Sequence, residues 1–141
     1  MNPVLTSAEH NVGLLLICHD SVGAALLAAA QATLDQVPLP VATLAATRDC
    51  NPAALLEQAR DLIAHLDRGG GVLVLTDLFG STPSNVAARL LATGRVRVVT
   101  GMNLPMLIRV LNYPCLTLDA LAAKALSGGQ DGVVQVGREV G

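Results

Sequence analysis

Tryptophan is absent from this chain, and one tyrosine and one phenylalanine are its only aromatic side chains. An aromatic content of 1% rules out base-stacking platforms and aromatic sugar-binding walls. Charge is scarce too: Asp, Glu, Lys and Arg make up 14% of the residues, against about 25% in an ordinary globular domain. The formal net charge of -2 gives no electrostatic reason to expect nucleic acid or an anionic membrane as a partner. No CxxC pair occurs among Cys18, Cys50 and Cys115, and an odd count argues against a disulfide framework. Reduced thiols in a cytoplasmic protein are expected instead. No apolar run approaches the roughly 18 residues that cross a bilayer, so direct membrane insertion is not expected. Residues 14–32 resemble a leader only superficially, because no Lys or Arg precedes Arg48, and His19 and Asp20 interrupt the apolar run. No targeting signal is read there.

What the chain does have is hydrophobic residues, 52% of its 141 positions, which excludes disorder. That length suits one domain with a core of Leu, Val and Ala. So little charge leaves apolar surface to hide, and a second copy is the simplest cover; a homodimer is expected.

Residues 1–11 read as a loose tail, and 12–141 as a single domain. The run 12–18 (VGLLLIC) fits a strand buried on both faces. A helix-forming stretch follows at 23–34, then a strand at 41–46. Asn51 and Pro52 open a helix to about Asp67, with Leu55, Leu56, Ala59, Leu62, Ile63 and Leu66 as its apolar stripe. Three glycines lead into a strand at 71–76 (GVLVLT), and a helix starts near Pro83 and runs to about Thr93. A strand at 95–100 and a helix opened by Asn103-Leu104-Pro105 come next. The last helix runs from Leu118 to Ser127, closed by Gly128-Gly129, before a weak edge strand at 133–136.

Strands alternating with helices predict an α/β fold, a doubly wound and mainly parallel four-stranded sheet of order 2-1-3-4 with helices on both faces. Ligands in such folds bind beyond the carboxyl ends of strands 1 and 3. Strand 1 ends at His19 and strand 3 at Asp77, so an imidazole and a carboxylate arrive side by side. A carboxylate that accepts from Nδ1–H leaves Nε2 free as a nucleophile and stabilises positive charge on the ring. The next residues, Gly80-Ser81-Thr82-Pro83, are a small-residue turn entering a helix, with Thr82 the expected N-cap. Backbone N–H groups and the positive end of the helix dipole there suit a phosphate. GxxxxGK[ST] and GxGxxG are both missing, so no nucleotide cofactor is expected. Imidazole, orienting carboxylate and anion cradle together point to phosphoryl transfer through a phosphohistidine, with no metal needed when the donor is itself a phosphohistidine.

Three stretches, LLLICHDSVG, GVLVLTDLFGSTPSNVA and TGMNLPMLIRVL, resemble in order and spacing the IIA component of the mannose-type bacterial phosphotransferase system. The likeness spans roughly residues 12–137. It implies that His19 accepts phosphoryl from the histidine-containing phosphocarrier protein, that Asp77 orients it, and that Thr82 belongs to the phosphate-binding turn. It implies a IIB protein or domain as the acceptor, and a homodimer with an antiparallel edge strand at 133–136. Where the family often has glycine after the histidine, this chain has Asp20, and Ser81 replaces a second glycine of the turn. The alternative to a transport role is a regulatory module whose His19 phosphorylation state selects protein partners. Other residues read as structural: His10 in the tail, His65 late in a helix, and Met102 and Met106 as packing residues. Arg48 follows strand 2 and reads as a solvated loop residue, the alternative being contact with an anion at the same sheet edge. Cys18, His19 and Asp77 lack a fourth ligand at a recognisable spacing, so no metal is expected.

Overall fold

The computed structural model describes residues 11–137. The expected tail, His10 included, lies outside them apart from its last residue. Strand β1 (Gly13–His19) leads to helix α1 (Val22–Thr33), β2 (Val41–Ala46) to α2 (Pro52–Leu66), and β3 (Val72–Thr76) to α3 (Thr82–Arg89). A 3₁₀ turn, Leu90–Thr93, precedes β4 (Val96–Val99), α4 (Leu104–Leu111) and α5 (Leu118–Asp131). The four strands are all parallel, in the order β2-β1-β3-β4.

The sheet is covered on both faces. Leu14, Leu16, Leu73 and Leu75 pack against α1, α4 and α5 through Ala30, Leu107, Val110 and Leu121. Leu15, Ile17, Val72 and Val74 meet α2 and α3 through Leu55, Ala59, Ile63, Val86 and Ala87. Burial on two faces is why β1 and β3 are unbroken apolar runs. Each fully buried Leu or Ile contributes about 1.5–3 kcal/mol relative to exposure. The helix starts follow from their caps. Asn51 Oδ1 accepts from the backbone N–H groups of Ala53 and Ala54 at 2.8 and 3.2 Å, and Asn103 Oδ1 accepts from that of Met106 at 2.9 Å. Among the described residues no helix is long and apolar enough to cross a membrane.

Two expectations fail at the C-terminal end. Gly128 and Gly129 do not stop α5, which continues to Asp131. They are close-approach residues: a Cβ on Gly128 would lie 2.8 Å from Arg109 Cβ, and one on Gly129 would lie 2.7 Å from Met106 Cε. The missing side chains let α5 press against α4, and Asn103 Nδ2 donates to the Gly129 carbonyl across the contact at 3.1 Å. Gly128→Ala is therefore expected to lower stability by roughly 1–3 kcal/mol through overpacking. Urea unfolding checks this, and an unchanged midpoint would show that Arg109 yields without strain.

The expected edge strand at 133–136 is the second correction, since these residues pair with no strand of their own sheet. Because α5 runs on to Asp131, only Gly132 separates it from Val133, too few residues to turn the chain back along β4. Val133 and Val136 are left 79% and 85% exposed.

Candidate active site

His19 and Asp77 sit where the buried strands run out. Ile17 pairs with Thr76 across β1 and β3, so the next residues of both strands emerge together at the carboxyl edge. There the chain leaves β1 for α1 on one face and β3 for α3 on the other, which opens a crevice between the two exits.

The contact across that crevice is close. Asp77 Oδ1 and Oδ2 lie 3.1 and 3.0 Å from His19 Nδ1, and Oδ2 also accepts the His19 backbone N–H at 3.0 Å. An ionised carboxylate can only accept, so the pair places the ring proton on Nδ1. Nε2 has no hydrogen-bond partner among the described residues. The backbone bond fixes the carboxylate against the strand end, and the ring bond fixes the imidazole against the carboxylate. The side chains are 41% and 14% exposed, so a reactant can reach the histidine while the aspartate stays sheltered.

The turn after β3 differs in detail from expectation. Ser81, not Thr82, is the N-cap of α3, because its carbonyl accepts the first helical bond from the Asn85 N–H at 2.8 Å while its own backbone is extended. Ser81 Oγ donates to the Leu78 carbonyl at 2.6 Å, so no side chain caps the helix. The first-turn N–H groups are thus left for an anion. Gly80, at φ 84, makes the left-handed corner, and its N–H donates to Ser84 Oγ at 3.2 Å. Ser81 at φ -101 needs no glycine.

A cleft of about 350 Å³ joins these parts, walled by His19, Asp20, Ala46, Thr47, Arg48 and Thr82. Thr82 is in the wall as expected, while Gly80 and Ser81 shape the turn behind it. Asp20 has φ 44, a left-handed conformation that glycine adopts freely and Asp tolerates better than most residues. Its backbone N–H donates to the Ala46 carbonyl at 3.1 Å. Arg48, read from the sequence as a solvated loop residue, is exposed and also borders the cleft. The signal for it was the strand order: β2 beside β1 puts whatever follows Ala46 next to His19.

The remaining candidates stay structural. His65 Nδ1 lies 2.8 Å from the Asp61 carbonyl oxygen within α2. Met102 and Met106 are buried in the core. Burial, and then the negative charge of Asp77, push the Cys18 thiol up to about 12, which keeps it protonated and unreactive.

The chain matches the family described as PTS system fructose IIA component over residues 13–126. It is 35% identical over 88 residues to the PTS system mannose-specific EIIAB component of Escherichia coli. That match covers 59% of this chain but 27% of the longer relative. The mannose/sorbose specific IIA subunit of the phosphotransferase system from Enterococcus faecalis superposes with a TM-score of 0.81 at 29% identity, covering 90% of this chain and 96% of that one. The PTS IIA protein associated with the fucose utilization operon of Streptococcus pneumoniae gives 0.75 at 25% identity, covering 89% and 93%. With the family match spanning both His19 and Asp77, this chain belongs to the mannose-type IIA family of the sugar phosphotransferase system.

Proposed function

We propose that this chain is a phosphohistidine carrier that accepts phosphoryl on His19 from the histidine-containing phosphocarrier protein and passes it to a IIB protein or domain. The single observation that carries the reading is the grip of both Asp77 oxygens on His19 Nδ1, which aims the Nε2 lone pair outward. In transfer, that pair forms the new N–P bond while the N–P bond to the donor breaks and its electrons return to the donor's ring nitrogen. The Nδ1 proton stays in place, so the ring becomes positive and Asp77 stabilises it. The transferring oxygens face the uncapped start of α3 and the Thr82 hydroxyl, donors already positioned for developing negative charge. The donor's N–P bond is itself activated, so the reading requires no cofactor. Phosphoenolpyruvate with the general phosphocarrier proteins tests it: the phosphoryl group should appear on His19 and then move to a IIB partner. Failure of wild-type protein to acquire the label would overturn the reading.

The partner of the C-terminal segment is, on this reading, a second copy. Val133, Val134 and Val136 are exposed, and among the described residues β4 ends the sheet with an unpaired outer edge. An antiparallel strand donated by each copy would cover both and form a homodimer. Light scattering should then report twice the 14.5 kDa chain mass, and removal of residues 133–141 should halve it. A monomer at micromolar concentration for the full chain would disprove the pairing.

A further inference from the structure

We propose that Arg48 binds the phosphoryl group carried by His19, and that it offsets the charge of Asp20; this rests on the reading that His19 is the phosphoryl acceptor. The position is built by the sheet. Ala46 stands opposite His19 in the parallel register, and the Cys50 N–H donates to the Thr47 carbonyl at 3.1 Å, closing a tight turn with Arg48 at its corner. The guanidinium-bearing residue is thereby held beside the strand end that presents the histidine.

Charge decides what it does there. Asp20 and Asp77 both face the site, and a phosphohistidine adds close to two further negative charges. Like charges at short range oppose one another, so an uncompensated site would resist phosphorylation. Arg48 is the one permanently cationic side chain in the cleft wall. It forms no ion pair among the described residues, not even with Asp20 across the same cleft. Arg60, Arg97 and Arg109, by contrast, are paired with Glu57, Asp119 and Asp131. The planar donor fork of Arg48 is thus unspent, and its geometry matches phosphoryl oxygens. An anion between Arg48, Thr82 and the start of α3 would have a donor on each side while Asp77 holds the ring from behind.

Phosphoramidate supplies the test, because this small donor labels a reactive imidazole without any protein partner. Its N–P bond breaks as Nε2 takes the phosphoryl group, and the nitrogen leaves as ammonia with a proton from solvent. The rate of His19 labelling, followed by intact mass and ³¹P NMR, should fall roughly tenfold in Arg48→Gln, the size of one charge-assisted contact at a partly open site. Arg48→Lys should restore it to within about threefold, since the positive charge remains. Arg48→Gln combined with Asp20→Asn should also recover much of the rate. Labelling of Arg48→Gln within twofold of wild type would overturn the proposal. So would a deficit repaired by neither Lys nor Asp20→Asn, which would mark Arg48 as a scaffold residue of the turn. The carrier reading fails separately: if phosphoramidate labels His19 but the protein donor does not, the relay is wrong and the role of Arg48 stands.

Discussion

His19→Gln is expected to acquire no phosphoryl group from phosphoenolpyruvate and the general phosphocarrier proteins, a loss of at least roughly 10³-fold because the nucleophile itself is gone. Glutamine has about the length of the imidazole but no ring nitrogen to form an N–P bond. The variant should still fold, since the side chain is 41% exposed and Asp77 Oδ2 keeps its bond to the backbone N–H of residue 19. Losing the ring's bond to Asp77 should cost no more than about 1.5–3 kcal/mol, the net worth of a hydrogen bond to a charged group. His65 offers no substitute. Its Nδ1 faces a backbone carbonyl, which cannot match a carboxylate in stabilising a positive ring, and it lies in the last turn of α2, not at the start of α3. Intact mass measurement after incubation with the donor gives the answer, and a phosphoryl mass gain in His19→Gln would move the site elsewhere.

Asp77→Asn should leave the fold intact and slow phosphoryl transfer by roughly 10²–10⁴. The amide is isosteric, but it removes the negative charge that stabilises the ring as Nε2 is phosphorylated. It also brings an NH₂ group that, turned towards Nδ1, drives the proton to Nε2 and blocks the nucleophile. The backbone N–H of His19 competes for the amide oxygen, which makes that wrong orientation accessible. Cys18 provides an internal control. Burial is the first cause of its raised thiol value, so it should remain inert to alkylating reagents at neutral pH after Asp77 is neutralised. Rapid-quench transfer rates from the phosphorylated donor make the test. Rates within twofold of wild type would mean that the carboxylate does not act on the histidine.

The architecture and the meeting of His19 with Asp77 were legible in the sequence because both are written locally. Strands buried on two faces must be unbroken apolar runs, as in LLLIC and VLVLT, and the first polar residue after each run marks the edge of the sheet. With helices between the strands, His19 and Asp77 fell at that edge without any knowledge of contacts. Asn51-Pro52 and Asn103 announced their helices for the same reason, since a cap acts within three residues.

Only the tertiary structure decided the features that depend on a neighbour distant in the chain. Gly128-Gly129 has the composition of a helix stop, yet the contact with Arg109 and Met106 makes it a packing surface inside α5. The longer helix in turn removes the slack that residues 133–136 needed to reach their own sheet. Arg48 has no local pattern that sets it apart from a solvated loop residue; the expected strand order already put the end of β2 beside β1, and the tertiary structure decided that Arg48 borders the cleft at the histidine. Local propensity acts through neighbours a few residues away, whereas a cleft is made by strand ends that the sequence separates by dozens of residues and the sheet brings together.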